Sequence, residues 1–325
     1  MITVLGAGSI GCYVGGVFAA AGHPVTLIGR DTLVTALADG LTVSAMDGTP
    51  HRSTPIVTAD PAALGDATTI LLCVKSSDTA SAAQIIHDHA PDTAQIISLQ
   101  NGVTNCDILG QMLGPDRITP GMVGFNVVRS GPDHFSQTTD GEIILGLTGQ
   151  PLCDALGHTP LTALCHDNMQ GVQWSKLLMN LNNALNALSG LSLKTQLEDR
   201  NWRRVLAACI SEGLAVARAE RIRLERLGKV HPRILPTLLR LPDVIFRRIA
   251  QSMLRIDPAA RSSMADDYAQ GRMSEVDWLN GHIVDRGRAH GIATPVNEKV
   301  RTLVKTAFDD SRRPALQFQT KLIFS

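Results

Sequence analysis

Apolar positions along this chain follow two different periods. Through the first half, short runs apolar at almost every position alternate with stretches of helical character. The runs predict strands over 2–5, 24–29, 67–74, 94–99, 119–128 and 142–147. A strand with one wet face alternates apolar and polar residues, so runs without alternation read as strands of a parallel sheet buried on both faces. Residues 41–57 predict further extended structure between the second helix and the next core strand. Turn signals at Gly131-Pro132-Asp133 and Asp140-Gly141 place an antiparallel portion within 119–147. From Trp174 to Phe308 the period is 3.6 almost throughout, with no convincing strand. Asp199 to Arg221 reads as one long amphipathic helix. Residues 232–257 are apolar but cut by prolines, which predicts short helices and turns. No repeat or low-complexity tract interrupts the pattern.

The first strand ends in Gly6-Ala7-Gly8-Ser9-Ile10-Gly11, a G-x-G-x-x-G on a strand-to-helix turn, with a second strand following in register. That context, rather than the glycines alone, marks a dinucleotide-binding turn. Gly6 allows the tight turn, Gly8 lets the backbone approach a pyrophosphate, and Gly11 lets helix pack on strand. The anion would rest on the helix N-terminus, at the N–H groups of Ser9, Ile10 and Gly11. The fold class expected is therefore α/β: an N-terminal Rossmann-type doubly wound sheet over 1–167, then an all-helical domain over 168–325. The active site is expected in the cleft between them.

The tip of the second strand bears on which dinucleotide binds. NAD-binding chains place Asp or Glu there for the ribose 2′-hydroxyl. This chain has Arg30, whose planar fork suits the 2′-phosphate of NADP. Asp31 follows, and two readings of it stand: a carboxylate that reaches the ribose, or an N-cap for a helix starting near Thr32. NADP is the favoured cofactor.

Composition narrows the class further. The 325 residues suffice for two domains with sizeable cores. Thirty Lys and Arg balance thirty Asp and Glu, so no net field points to nucleic acid or an anionic membrane. Six cysteines (12, 73, 106, 153, 165 and 209) are scattered, without the spacing of a disulfide framework or a metal site. They read as small hydrophobes in a reducing compartment. Apolar runs are broken by charge before they could span a membrane, and no cationic stretch precedes the first strand. The expectation is a cytoplasmic protein without a signal peptide, binding no metal, with monomer and homodimer both compatible with the balanced charge. His87, His89 and His166 lack thiol or carboxylate partners at ligand spacing.

Four clusters are polar where a core or plain surface would not need to be. Val74-Lys75-Ser76-Ser77 closes a buried strand, facing a cofactor crevice or standing as a solvated strand-end lysine. Gln100-Asn101-Gly102 closes the next strand. It serves as a turn signal, or its amide positions a ribose or nicotinamide. On a helix, Lys176, Asn180 and Asn183 share one face at i, i+4 and i+7, while Leu177, Leu178, Leu181 and Leu185 cover the others. A lysine on such a helix is costly unless something anionic develops opposite it. A carbonyl gaining charge during hydride transfer fits, with Lys176 as proton donor; the plain alternative is a surface stripe. The last cluster is Ser262-Ser263-Met264 with Ser274-Glu275, where Ser274 also reads as a cap of the helix that Glu275 opens.

In these ordered motifs the chain resembles the ketopantoate reductase (2-dehydropantoate 2-reductase) family over nearly its whole length. They are the glycine turn, Arg30, Val74-Lys75, Asn101-Gly102, Trp174-x-Lys176-Leu177-x-x-Asn180, Ser263-Met264 and Glu275-Val276-Asp277-x-x-Asn280-Gly281, followed by His290-Gly291-Ile292-x-x-Pro295. The resemblance implies an NADPH-dependent reductase that turns a 2-keto acid, ketopantoate foremost, into a 2-hydroxy acid for pantothenate synthesis. It implies Lys176 as general acid, with Glu275 holding the substrate hydroxyl and helping to place the lysine. It also implies Asn180 and Ser263 as substrate contacts, with Lys75 and Asn101 lining the cofactor and substrate cleft. Position 184, where the family helix carries its second asparagine, is Ala; Asn182 or Asn183 must substitute, and Asn183 stays on the lysine face. A further family asparagine has no clear match in 190–195, and residues 222–258 are longer than the short bacterial enzymes need. These departures leave room for a bulkier 2-keto acid. Two other readings remain open: a dehydrogenase of another hydroxy acid or an imine reductase, and a catalytically silent NADP sensor.

Overall fold

The computed structural model describes residues 1–157, 159–228, 230–249, 260–310, 320 and 323, arranged in two compact units, Met1–Met169 and Gln170–Ser325. The described residues of the first unit hold twelve strands: β1 (Ile2–Leu5), β2 (Val25–Ile28), β3 (Leu41–Ser44), β4 (Pro50–Ser53), β5 (Ile56–Thr58), β6 (Thr69–Leu72), β7 (Gln95–Ser98), β8 (Ile118–Val123), β9 (Val127–Arg129), β10 (His134–Gln137), β11 (Ile143–Leu145) and β12 (Ala163–Cys165). Its helices are α1 (Ser9–Ala20), α2 (Asp31–Ala36), α3 (Thr79–His89), α4 (Asn105–Leu113) and α5 (Gln150–Leu156).

Eight strands form one sheet in the order β12-β11-β8-β7-β6-β1-β2-β5. From β5 to β8 all neighbours run parallel. The sequence order there is third, second, first, fourth, fifth, sixth, that of a doubly wound nucleotide fold. The order reverses between β1 and β6, so Gly6 and Val74-Lys75 fall at the carboxyl ends that flank the switch point. All six strands expected from the apolar runs are present, β11 pairs antiparallel with β8 as the turn signals implied, and the extended segment 41–57 resolves into β3, β4 and β5. The sequence did not show that β3 and β4 leave the main sheet to join β9 and β10 in a second one, ordered β4-β3-β10-β9.

Helix α1 lies between the two sheets, and its small residues follow from that. A Cβ on Gly15 would come within 2.6 Å of Leu27, and one on Gly16 within 2.6 Å of both Leu41 and Val43. Two mid-helix glycines cost roughly 1 kcal/mol each against alanine. Close packing of buried Val14, Val17 and Phe18 against Leu27, Leu41, Val43 and Phe135 offsets that cost.

The second unit is helical: α6 (Met169–Ser189), α7 (Leu193–Glu198), α8 (Arg200–Ala219), α9 (Leu235–Arg240), α10 (Asp243–Ile249), α11 (Ser263–Ala269), α12 (Asn280–Ala289) and α13 (Pro295–Asp309). Asp199 caps α8, its carboxylate accepting from the Asn201 N–H at 2.7 Å. The proline-cut segment gives α9 and α10, fastened to α8 by Arg203. That guanidinium is fully buried, reaching the carbonyls of Leu197, Glu198, Leu239 and Leu241 and the Asp243 carboxylate, and it stacks on Phe246. Of the longer stretch 222–258, residues 229 and 250–258 lie outside the described set. Among the described residues, no helix is long and apolar enough to cross a membrane.

Candidate active site

At the carboxyl end of β1 the three fingerprint glycines meet three different constraints. Gly6 has φ +91°, and a Cβ there would sit 2.6 Å from the Val74 backbone nitrogen, so both conformation and the approach of β6 demand glycine. A Cβ on Gly11 would meet the Gly6 carbonyl at 2.7 Å and Val4 at 2.9 Å. Nothing lies within 4 Å of a Cβ on Gly8, which opens α1 without a side-chain cap. Open space therefore faces the first turn of α1, where the N–H groups of Ser9, Ile10 and Gly11 have no intrahelical acceptor. Backbone donors, a helix N-terminus and room in front of them fit a dinucleotide pyrophosphate.

Arg30 follows β2 beside this turn, since the Gly6 and Ala7 N–H groups both donate to the Ile28 carbonyl, at 3.1 and 3.0 Å. Its side chain is exposed and makes no hydrogen bond or ion pair among the described residues. Asp31 is not the helix cap: Arg30 takes the extended cap position, and Asp31 is the first residue of α2, where its carboxylate faces the helix dipole.

At the ends of β6 and β7 a buried polar network joins Ser76, the residue after Lys75, to Asn101. The Ser76 hydroxyl donates to the Asn101 carbonyl at 2.8 Å, and the Asn105 amide donates to the same carbonyl at 2.6 Å. The Thr79 hydroxyl lies 2.9 Å from Asn105 Oδ1 and accepts from Gln100 Nε2 at 2.8 Å, while Ser98 donates to Gln100 Oε1. Ser76, Thr79, Ser98, Gln100 and Asn105 are all buried. Ser76 and Gln100 lay in clusters that stood out in the sequence; Thr79, Ser98 and Asn105 did not, because the burial of polar residues on separate elements is set by tertiary packing and leaves no local signal.

In the second unit Lys176, Asn180 and Asn183 all fall on α6. Leu177, Leu178, Leu181 and Leu185 are each at most 1% exposed, so they anchor the helix, with about 1.5–3 kcal/mol per side chain from burial. Lys176 is half-buried, and burial pulls its ammonium from 10.5 down to about 8. Among the described residues no side chain hydrogen-bonds or ion-pairs with it. Asn180 is buried, Asn183 half-buried and Ala184 fully buried. Asn182 is turned to α7, its Oδ1 accepting from Gln196 Nε2 at 2.8 Å.

Ser263 is the first residue of α11 and is exposed. Its neighbour Ser262 caps that helix and donates to the Asn183 carbonyl at 3.1 Å, which brings Ser263 beside the polar face of α6. Glu275 is half-buried and precedes the single turn Val276–Trp278 rather than opening a long helix; Ser274 Oγ accepts from the Val276 N–H at 3.1 Å. Asp277 ties this turn to α13 through Arg301 at 2.6 Å and Lys305 at 3.1 Å. Edge-to-face packing of Trp174 on His282 joins α6 to α12. Among the described residues no group of three or more His, Cys, Asp or Glu is placed to hold a metal ion.

Residues 2–150 match the family described as ketopantoate reductase PanE/ApbA, and residues 168–307 match the ketopantoate reductase PanE/ApbA C-terminal family. A 2-dehydropantoate 2-reductase of Halobacterium salinarum is 32% identical over 320 residues, spanning 95% of this chain and 99% of that protein. Among solved structures, the PanE/ApbA family ketopantoate reductase from Ralstonia eutropha JMP134 superposes with a TM-score of 0.83 at 33% identity, covering 96% of this chain and 99% of that one. A D-mandelate dehydrogenase, solved with NADH and anilino(oxo)acetate, shares the fold at a TM-score of 0.81 and 21% identity, over 95% of this chain and 98% of its own. Fold and relatives together make the protein an NAD(P)-dependent oxidoreductase acting on CH–OH groups. Within that class, the chain belongs to the ketopantoate reductase family.

Proposed function

We propose that this protein uses NADPH to reduce 2-dehydropantoate to pantoate, with Lys176 as the general acid. The observation that carries the reading is the Lys176 ammonium: half-buried, drawn down to about 8, and without a partner among the described residues. A structural lysine gains nothing from that environment, whereas a proton donor working near neutral pH needs it. Relatives named 2-dehydropantoate 2-reductase support the substrate.

In this reading the N–H groups of Ser9, Ile10 and Gly11 would hold the pyrophosphate and Arg30 a 2′-phosphate. Lys75 and Asn101 would contact the same cofactor. When bound, NADPH would supply the hydride that reduces the keto carbon. As that carbon is reduced, its oxygen gains negative charge, and Lys176 stabilises and then protonates it. Asn180 and Asn183 donate amide hydrogens to the substrate, Ser263 meets its carboxylate, and Glu275 accepts from its hydroxyl. The six free thiols support a reducing, cytoplasmic setting, and sedimentation velocity distinguishes a monomer from a homodimer.

The test is NADPH consumption, followed by loss of the reduced-nicotinamide absorbance, with 2-dehydropantoate beside a panel of bulkier 2-keto acids. Fast turnover of 2-dehydropantoate is expected. Turnover of another keto acid alone would keep the mechanism and change the substrate, a reading favoured by buried Ala184 at the position where the family places an asparagine. NADPH binding without turnover of any keto acid would contradict the assignment and point to a sensor.

A further inference from the structure

Behind the polar face of α6 lies a second set of amides to which neither the motifs nor the proposed mechanism assigns a role. Asn186 is fully buried and uses three of its four hydrogen-bonding positions. Its Oδ1 accepts from the Ser262 N–H at 2.8 Å, and its Nδ2 donates to the Leu191 carbonyl and to Gln196 Oε1, both at 3.0 Å. Gln196, 1% exposed, passes the chain on by donating to Asn182 Oδ1 at 2.8 Å. The segment that leads into α11 is thereby held at three points: Ala260 by the Leu193 N–H at 2.9 Å, the Ser262 nitrogen by Asn186, and the Ser262 hydroxyl by the Asn183 carbonyl at 3.1 Å.

We propose that Asn186 is a positioning residue for substrate binding: through Ser262 it seats Ser263 beside Asn183, and through Gln196 it holds Asn182 away from the substrate face. This rests on the reading of Ser263 and Asn183 as substrate contacts. An apolar side chain would fill the site without the desolvation cost of a buried amide. What the amide adds is direction, because each of its bonds fixes a different segment against the helix that carries Lys176. Ser262 owes its place to the same network, its hydroxyl both capping α11 at the Ala265 N–H and reaching back to α6.

A double-mutant cycle tests the proposal, with KM for 2-dehydropantoate, kcat and the NADPH Kd measured for Asn186→Ala, Ser263→Ala and the pair. Asn186→Ala is expected to raise KM about tenfold, with the NADPH Kd changed less than about twofold. In the Ser263→Ala background the same substitution is expected to raise KM less than about threefold, since the residue it seats is gone. A full tenfold effect in both backgrounds would overturn the proposal and leave the functional reading intact. An unchanged Ser263→Ala enzyme would overturn the assignment of Ser263 and the proposal with it. Should Asn186→Ala not fold, Ser262→Ala carries the test. It is expected to raise KM about threefold, with Ser262→Thr restoring it, and an unchanged KM in Ser262→Ala would overturn the proposal as well.

Discussion

At the carboxyl ends of β6 and β7, buried Ser76, Thr79, Ser98, Gln100 and Asn105 satisfy one another and grip the Asn101 carbonyl. On α6, by contrast, the Lys176 ammonium is desolvated and has no partner among the described residues. The first arrangement makes a rigid frame, because removing any member leaves another polar group buried and unpaired. The second holds a group at a free-energy cost that folding does not recover, as expected of a side chain whose partner is a reacting molecule. The difference is the one expected between residues that place chemistry and a residue that performs it, the role proposed for Lys176.

Opposite responses to substitution would sharpen that contrast. Lys176→Met is expected to lower kcat by about a hundredfold or more while leaving NADPH binding intact. It should also raise stability, by no more than roughly 3 kcal/mol, because an ammonium held near 8 instead of 10.5 opposes folding. The sign follows from linkage. Below about pH 8 both folded and unfolded chains carry the proton and the penalty is complete, and it fades as pH rises toward 10.5. Thermal melts of both proteins across that range measure it, and a less stable Lys176→Met protein would break the comparison.

In the frame, Asn105→Leu is expected to cost about 1–3 kcal/mol, since Asn101 and Ser76 lose a donor and Thr79 a neighbour in a buried setting. Chemical denaturation reads this, and a neutral result would mean the network is not a frame. The smallest effect is expected at exposed Arg30. Arg30→Ala should raise the KM for NADPH about tenfold, roughly 1.4 kcal/mol, and leave that for NADH nearly unchanged. Equal changes for both cofactors would remove the 2′-phosphate role.

Legibility in the sequence followed the same division. β1, β2, β6 and β7 were readable because both faces are buried and only β-branched threonines, Thr3 in β1 and Thr26 in β2, interrupt their apolar cores. The second sheet was not, because β4 reads Pro-His-Arg-Ser and β10 reads His-Phe-Ser-Gln, patterns that become strands only by pairing with distant partners. Three-residue β12 escaped for the same reason. The glycine turn stood out because backbone conformation at Gly6 and close contact at Gly11 dictate residue type locally. The i, i+4, i+7 spacing sufficed to put Lys176, Asn180 and Asn183 on one helical face. It could not separate Asn182 from Asn183, a distinction made by Gln196 from α7, and it gave no hint that Asn186 holds the chain at Ser262.

The pH dependence of kcat/KM for the unmodified enzyme tests the role of Lys176 most directly. With NADPH saturating and 2-dehydropantoate well below its KM, kcat/KM should be level below about pH 8 and fall tenfold per pH unit above it, as the half-buried ammonium of the substrate-free enzyme loses its proton. A kcat/KM that stays level to the 10.5 of an ordinary lysine would contradict Lys176 as the acid.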